Sequence, residues 1–289
     1  MRTQYFRALA PVILSVAFSA CGDAEKAAPS TPETMYARAQ ELLKPNVEGD
    51  ASDFAGALQW LTRAAEGGWR QAQLDLGGVY LEGGKGVTAD PVQAFDWFTR
   101  AAAQGSAEAE FYLGHILYNG LGRPADKEAA MAHWQKAADA NIGEAQYRLS
   151  HLLLQQPENR AKGLELLQKA AAAPSPKLAA QAACDLGNIC AKGQHGVAAD
   201  MQKAAQWYSR AARGGNARAQ LVYALMLLSG DPVPADPQQG MALLRLSAGQ
   251  DNPQAIALLI NLLRNSEDAE ANEEEAAAWA TRLESLRKK

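Results

Sequence analysis

Histidines, cysteines, aspartates and one serine–lysine pair are the residues of this 289-residue chain that could carry chemistry. His115 and His151 hold equivalent places in successive predicted helices. Neighbouring helices pack about 8–10 Å apart, so both rings could reach one metal ion, but the sequence offers no obvious third ligand beside them. The acylation motif SxxK occurs once, from Ser285 to Lys288, and no KTG accompanies it. We therefore predict no catalytic residue, no metal site and no cofactor.

A series of aspartates recurs along the chain at a regular spacing. Its members are Asp53, Asp90, Asp126, Asp200 and Asp236. Two of them precede a proline, in Asp90-Pro91 and Asp236-Pro237. Aspartate at the N-cap followed by proline at the first helical position is a strong signal for the start of a helix. Paired carboxylates of an active site are the alternative, but helix capping accounts for every member of the series.

Six copies of one pattern set this spacing. Each copy is anchored by a large apolar or aromatic residue, and these residues lie 36 or 37 positions apart: Leu76, Leu113, Leu149, Leu186, Tyr223 and Leu259. The pattern predicts a first helix with small and apolar residues on one face (the A helix) and a glycine-rich loop in most copies. A second helix (the B helix) then starts after the aspartate. A fixed period of this length indicates a stack of helix pairs, each burying its apolar face against its neighbours.

Tryptophans mark one position of the B helix. Trp60, Trp97, Trp207 and Trp279 share it, and Trp97 and Trp207 lie seven residues after Asp90 and Asp200. The sequence leaves burial or exposure of these rings open. Trp97→Ala and Trp207→Ala should each cost about 3–5 kcal/mol if the positions are buried, and near-neutral effects would place the rings on the surface.

The pattern AxxxLGxxYxxGxGVxxDxxxAxxWxxxAAxxG, clearest from Ala72 to Gly105, resembles the consensus of the Sel-1-like repeat, a relative of the tetratricopeptide repeat. The copy from Ala145 is weaker, because Gln155-Gln156-Pro157 replaces its glycine loop. The resemblance implies an all-α, right-handed superhelical solenoid of antiparallel helix pairs, used as a scaffold for other proteins. It covers residues 35–289 in about six to seven units, of which the first and last are degenerate, as capping units usually are.

The N-terminus has the pattern of an export signal. Arg2 and Arg7 precede a short apolar run that ends at Cys21, in the order Phe-Ser-Ala-Cys. This order resembles the lipobox of bacterial lipoproteins, although leucine is more usual than phenylalanine at its first place. The resemblance implies a signal peptide over 1–20 and lipidation of Cys21. The lack of large apolar residues from Gly22 to Thr34 predicts a disordered tether over 21–34. An ordinary secretory signal or a buried N-terminal helix are the alternatives.

The charge balance excludes one class of partner. The chain has 28 basic and 32 acidic residues, with a formal net charge of −4. An acidic chain without a basic stripe is a poor binder of nucleic acid. We therefore predict no nucleic-acid partner, and contact with a membrane only through the lipid.

The A helices carry apolar and aromatic residues where a concave face is expected. When the anchoring residue is counted as the seventh of its A helix, the fifth places hold Leu74, Phe111, Tyr147, Cys184 and Leu221. Exposed apolar stripes usually indicate a partner. We predict a groove for a protein or peptide partner, lined by Leu74, Phe111, His115, Tyr118, Tyr147, His151 and Leu154. The alternative is that neighbouring A helices bury these side chains against each other.

The expected function is a lipid-anchored, extracytoplasmic scaffold or adaptor for protein–protein interactions in the cell envelope, without enzymatic activity. Gly22 after the cysteine favours the outer membrane, facing the periplasm. The alternative is a β-lactamase-like hydrolase or a peptidoglycan-binding protein, as in cysteine-rich members of the family. In those members paired cysteines staple each repeat, whereas this chain has alanines at such places, for example Ala102 and Ala109. The sequence leaves the oligomeric state open.

The lipid anchor can be tested by one substitution. Cys21→Ser removes the thiol to which the lipid would be attached, so we expect loss of radiolabelled-lipid incorporation and release of the protein from the membrane fraction, or stalled processing. Unchanged membrane attachment of the substituted chain would disprove the lipoprotein hypothesis.

Overall fold

A computed structural model describes residues 31–44, 53–84, 86–266 and 268–288. The signal segment 1–20 and Cys21 lie outside these residues, and the first helix begins at Pro32, within the last residues of the predicted tether 21–34. The chain divides into two compact units, Met1–Lys136 and Ala137–Lys289, each with its own apolar clusters. All regular elements of the described residues are helical apart from one isolated bridge between Gly84 and Val87, which confirms the all-α prediction.

The first unit contains five complete helices and most of a sixth. They are α1 (Pro32–Leu42), α2 (Phe54–Glu66), α3 (Arg70–Glu82), α4 (Pro91–Ala103), α5 (Ala107–Asn119) and α6 (Lys127–Asp139), the last of which continues past the boundary of the unit. Helices α3 and α5 are predicted A helices, and α2, α4 and α6 are predicted B helices. Each A helix packs against the B helix that follows it, as in the pair α3 and α4.

The second unit continues the same alternation. Its helices are α7 (Gly143–Leu154), α8 (Arg160–Ala171), α9 (Pro176–Lys192), α10 (Met201–Arg213), α11 (Ala217–Ser229), α12 (Pro237–Gly249), α13 (Pro253–Arg264) and α14 (Ala269–Arg287). A short 3-10 helix, Pro157–Asn159, connects α7 to α8 where the glycine loop is missing. The four A helices of this unit are α7, α9, α11 and α13.

The predicted helix caps are confirmed at all five aspartates. Each side chain accepts a backbone N–H from the first turn of a B helix, at 2.8 to 3.0 Å. The backbone N–H of Gln93 lowers the pKa of Asp90, and that of Lys203 lowers the pKa of Asp200. These bonds satisfy amide groups that a helix leaves unpaired at its start, so the aspartates have a structural role.

Three repeats bring their two helices together through a glycine on the A helix. Gly77, Gly114 and Gly187 each follow the anchoring leucine. A Cβ atom added to any of them would lie 2.5 to 2.8 Å from the ring of Phe98, Trp134 or Tyr208 respectively. All three rings are buried. The absence of a side chain on the A helix therefore makes the space that the B-helix ring fills.

The other two central repeats place the glycine on the B helix instead. Ser150 and Ala224 hold the eighth place of α7 and α11, and the facing B-helix residues are Gly163 and Gly240. A Cβ on Gly163 would lie 3.1 Å from the carbonyl oxygen of Ser150, and one on Gly240 would lie 3.2 Å from that of Ala224. The buried aromatic ring becomes a leucine here, Leu167 or Leu244. In each of the five central pairs, one of the two helices thus has no Cβ at the point of contact.

The four tryptophans that share a B-helix position are half-buried. In two of these helices the buried ring belongs to the next residue, where Phe98 follows Trp97 and Tyr208 follows Trp207. The guanidinium of the arginine three residues later lies over each indole, 4.5 to 5.8 Å from the ring centroid. A cation over an aromatic face is attracted by the ring quadrupole. This attraction stabilises the position of each half-buried tryptophan on its B helix.

Two of these arginines also link consecutive repeats in the second unit. Arg210 donates to the carbonyl of Ala171, the last residue of α8, at 2.9 Å. Arg282 donates to the carbonyl of Gly249, the last residue of α12, at 3.1 Å. Such contacts satisfy carbonyl groups that a helix leaves unpaired at its C-terminus and suit the helix dipole.

The glycine contact predicts opposite effects for two helical Gly→Ala substitutions. Gly114→Ala should destabilise the protein despite the better helix propensity of alanine, because the new Cβ would meet the indole of Trp134 at 2.5 Å. Gly249→Ala has no atom within 4 Å of the new Cβ, and is expected to stabilise by up to about 1 kcal/mol. Urea unfolding of both variants measures the difference, and equal effects at the two sites would contradict the packing role.

Candidate partner-binding surface

The apolar members of the predicted groove lie in the core. Leu74, Phe111 and Leu154 are only 5%, 7% and 2% exposed, so the prediction that they line an open groove was wrong. Leu74 shares an apolar cluster with Ala109 and Leu113 of α5, the next A helix. Leu74 is thus buried towards the next A helix, which was the alternative to an open groove. Leu154 instead packs against the B helix of its own repeat, where a Cβ on Gly163 would lie 3.0 Å from Leu154 Cγ.

The two predicted residues at the end of α5 are half-buried. The Tyr118 ring packs 5.2 Å from that of Trp134, and the Lys127 ammonium lies 6.0 Å from the Tyr118 ring centroid. His115 Nδ1 lies 3.2 Å from the Asn119 amide nitrogen, one turn further along the helix. Both side chains therefore combine a packed part with an accessible part.

Tyr147 and His151 come together with an aspartate that the sequence analysis did not single out. The Tyr147 hydroxyl donates to Asp185 Oδ2 at 2.8 Å, which ties α7 to α9. His151 Nε2 lies 3.4 Å from the same oxygen, and the two rings meet edge to face at 4.6 Å. The His151 side chain is 44% exposed. We call Tyr147, His151 and Asp185 the α7–α9 cluster.

Burial and the neighbouring carboxylate set the ionisation of this cluster. Burial, followed by the hydrogen bond to Asp185, raises the pKa of Tyr147 far above its ordinary value, because the phenolate would be poorly solvated and would face a negative charge. Burial also raises the pKa of Cys184, next to Asp185, to about 11. Tyr147 therefore remains a neutral hydrogen-bond donor at physiological pH, and Cys184 is an unreactive thiol.

A matching contact holds α1 in the other unit. The Tyr36 hydroxyl donates to Asp75 Oδ2 at 2.8 Å, and Gln71 donates to the other carboxylate oxygen at 2.9 Å. Burial raises the pKa of Asp75, and its two hydrogen bonds oppose this effect. Asp75 and Asp185 both directly precede the anchoring leucine, and that shared place is the sequence signal that could have revealed them.

In the repeat from residue 107, charged side chains stand where other repeats have a glutamine and its neutral hydrogen bond. The fourth places of three other A helices hold a buried glutamine that donates to a carbonyl of the preceding B helix: Gln73 to Ala65, Gln146 to Ala138 and Gln220 to Ala212. Glu110 holds this place in α5, and its oxygens contact His133 Nδ1 at 2.5 Å and Lys136 Nζ at 3.1 Å. His133 and Lys136 stand where other repeats have tryptophan and arginine.

The described part of the chain contains no group of three His, Cys, Asp or Glu side chains placed to hold a metal ion. Nor does any helix there have the length and apolarity needed to cross a bilayer. Cys184 and Cys190, the two cysteines within it, are free and buried.

The amino-acid sequence matches the Sel1 repeat six times, at residues 35–69, 70–106, 107–142, 143–175, 180–216 and 217–252. The chain belongs to the Sel1 repeat family. Sel1 repeat proteins generally mediate protein–protein interactions, and their fold is generally a non-enzymatic scaffold. The paired helices of both units agree with this family assignment.

Solved structures include similar Sel1 proteins. A protective antigen of uropathogenic Escherichia coli with an SLR fold is 26% identical, with a TM-score of 0.71 over 88% of this chain and 54% of its own. This chain thus spans about half the length of that protein. A Sel1 repeat protein from Oxalobacter formigenes is 22% identical, with a TM-score of 0.71 over 88% of this chain and 98% of its own. No curated protein matches the chain in sequence.

The Tyr147 hydrogen bond predicts a pH-dependent stability. Tyr147→Phe removes the bond to Asp185 and should cost about 1 kcal/mol at pH 7. Because folding raises the pKa of Tyr147, its contribution is present in full below the unfolded value of about 10 and declines as the pH rises above it. Urea unfolding across this range should show a shallower alkaline loss for Tyr147→Phe, and parallel curves would contradict the assignment.

Proposed function

We propose that this protein is a lipid-anchored scaffold of the cell envelope that holds a protein partner on the exposed side of its A helices. The observation that carries the proposal is the run of Sel1 repeats over residues 35–252, because this family generally mediates protein–protein interactions. A stack of short helix pairs offers a long surface built from equivalent places in successive helices. Such a surface suits an extended or helical segment of a partner.

The lipid anchor rests on the N-terminal sequence. Two arginines, a short apolar run and Cys21 follow one another in the order of a lipoprotein signal. Gly22 after the cysteine favours the outer membrane, with the repeats facing the periplasm. A lipid at Cys21 would confine the scaffold to one membrane surface and raise its effective concentration near partners held there.

The partner surface differs from the predicted apolar stripe. The stripe residues other than Tyr147 are buried, and the accessible A-helix groups in the second unit include both polar and apolar side chains. His151 belongs to the polar and aromatic α7–α9 cluster, whereas Leu225, at the same ninth place of α11, is an apolar side chain 45% exposed. We propose that the partner contacts this row with both hydrogen-bonding and apolar groups. Aromatic and apolar anchors in such a row contribute most of the binding energy.

Nothing in the described residues favours the hydrolase or peptidoglycan-binding alternative. That alternative rests on the cysteine-rich members, in which paired cysteines staple each repeat. Cys184 and Cys190 are unpaired and lie in the core of a single helix, α9. Ser285, in the isolated SxxK motif, donates to the carbonyl of Arg282, one turn earlier in α14, so this hydroxyl caps its own helix.

Site-specific photocrosslinking in the native envelope tests the proposed surface. A photoreactive amino acid at position 225 probes the A-helix side, and one at 246 probes the B-helix side, where Leu246 is 57% exposed. We expect a defined protein adduct at 225 that is absent at 246. Leu225→Glu should abolish capture of the same protein, whereas Leu246→Glu should leave it unchanged. Adducts of equal yield at both positions would refute an A-helix binding side.

A further inference from the structure

A depression beside α10, in the second unit, brings several hydrogen-bonding side chains together. It has a volume of about 230 Å³ and is lined by α10, by α11 and by the loop between α11 and α12. The side chains that form its walls include Gln202, Gln206, Ser209, Arg213, Tyr223 and Val233. We call this depression the α10 groove. Arg213 brings a positive charge to it, and the other lining residues are uncharged.

Four polar side chains form a single stripe along α10. Gln202, Gln206, Ser209 and Arg213 follow one another at i, i+4, i+7 and i+11, which places them on one face of the helix. Arg213 comes thirteen residues after the capping aspartate Asp200. The other four B helices that begin after a capping aspartate have acidic or small residues at this place: Glu66, Ala103, Asp139 and Gly249. Among these five helices, a cation there is peculiar to α10.

The α11 side of the groove is a departure from the repeat pattern. Five of the six anchoring residues are leucines that are at most 3% exposed, whereas the sixth, Tyr223, is half-buried. Its ring packs against the same apolar cluster as Val233. Tyr223 therefore takes the place of a core leucine and adds a hydroxyl group at the edge of the core, beside the polar stripe.

The side chains of the groove are available to a ligand. Within the described residues, those of Gln206, Ser209, Arg213 and Tyr223 have no hydrogen-bond or ion-pair partner. Gln202 differs, because its Nε2 donates to the carbonyl of Pro232 at 2.7 Å. This bond holds the α11–α12 loop against α10 and fixes the end of the groove that Val233 lines.

The single guanidinium favours a ligand with one negative charge. An arginine pairs with a carboxylate through two parallel hydrogen bonds. Arg213 is the last residue of α10, where the helix dipole leaves a partial negative charge that opposes a doubly charged group such as phosphate. Gln206 and Ser209 can both donate and accept, so they suit an amide or a hydroxyl beside the carboxylate.

We propose that the α10 groove binds a carboxylate that has an amide or a hydroxyl next to it. Arg213 holds the carboxylate, Gln206, Ser209 and Tyr223 bond the neighbouring polar group, and Val233 contacts an apolar substituent. The last residue of a peptide and a free hydroxy acid both have this chemistry. The groove is smaller than the about 300–1,000 Å³ of pockets for drug-sized ligands, so the bound group is small. The proposal is independent of the lipid anchor and of the A-helix row that contains Leu225.

Titration of the isotope-labelled full chain, followed by nuclear magnetic resonance, tests the site. N-acetyl-alanyl-alanine has the terminal carboxylate and its amide, and the same dipeptide with an amidated C-terminus is the matched ligand without the charge. We expect saturable shifts of the Gln206 and Arg213 side-chain signals, with a dissociation constant of about 1 mM for the acid. The amidated form should bind at least about tenfold more weakly, because the charge-assisted bonds are lost.

Lactate separates the two sources of the carboxylate. It carries a hydroxyl beside its carboxylate and has no peptide group. Tighter binding of the dipeptide acid than of lactate would assign the groove to the end of a peptide chain. Equal or tighter binding of lactate would assign it to a small hydroxy acid. Both results support a carboxylate site.

Matched variants link the binding to the proposed residues. Arg213→Gln should weaken binding of the dipeptide acid at least about tenfold, whereas Arg218→Gln, at an exposed arginine of α11 outside the groove, should not change it. Tyr223→Leu gives α11 the anchoring residue of the other repeats, and loss of the hydroxyl should weaken binding about threefold. Circular dichroism melting checks that each variant is folded.

Leu225→Glu separates this proposal from that of a protein partner on the A-helix side. The substitution is expected to abolish capture of the protein partner but to leave the affinity for the dipeptide acid unchanged. Four results would overturn the carboxylate site: no saturable shift with either acid, equal binding of the amidated dipeptide, an Arg213→Gln variant that binds as well as Arg218→Gln, and tighter binding of methyl phosphate than of both acids.

Discussion

The contact between the two helices of a repeat depends on the absence of one Cβ atom. In the five central repeats a Cβ added to a glycine of one helix would lie 2.5 to 3.2 Å from a bulky side chain or a backbone carbonyl of the other, closer than most Cβ atoms approach their neighbours. This close approach buries the facing B-helix residue, which is Phe98 or Trp134 in the first unit. Burial of such large side chains provides most of the stability available to a helix pair. The helix caps, the arginine–tryptophan contacts and the hydrogen bonds between repeats add to a helix pairing that this close approach makes possible.

The sequence was informative wherever structure follows from local rules. Asp90 and Asp200 predicted helix starts because aspartate satisfies free backbone amides, and both cap their helices. The 36- to 37-residue period predicted the helix pairs and their order. These features depend on neighbours within one turn, or on a repeat that makes one copy evidence for the next.

The candidate surface could be predicted only in part, because it depends on contacts between repeats. Periodicity places Leu74 on the side of the A helix away from its B helix, but cannot tell that residues of the next A helix share its apolar cluster. The same limit applies to Tyr147, whose hydrogen-bond partner Asp185 lies 38 residues further along the chain. Likewise, only the structure relates Glu110 to His133 of the following B helix, a contact that replaces the hydrogen bond made by glutamine to the preceding B helix in other repeats.

The two placements of glycine bear on how such chains can evolve. An A helix with Gly187 requires a B helix with a ring such as Tyr208, whereas an A helix with Ser150 requires a B helix with Gly163. Recombination that joined α7 to α10 would set a serine against an aromatic ring, and joining α9 to α8 would leave a void. The smallest piece that can be duplicated, deleted or shuffled without repair is therefore the complete helix pair. Gene-level gain and loss in arrays of this kind should respect that boundary.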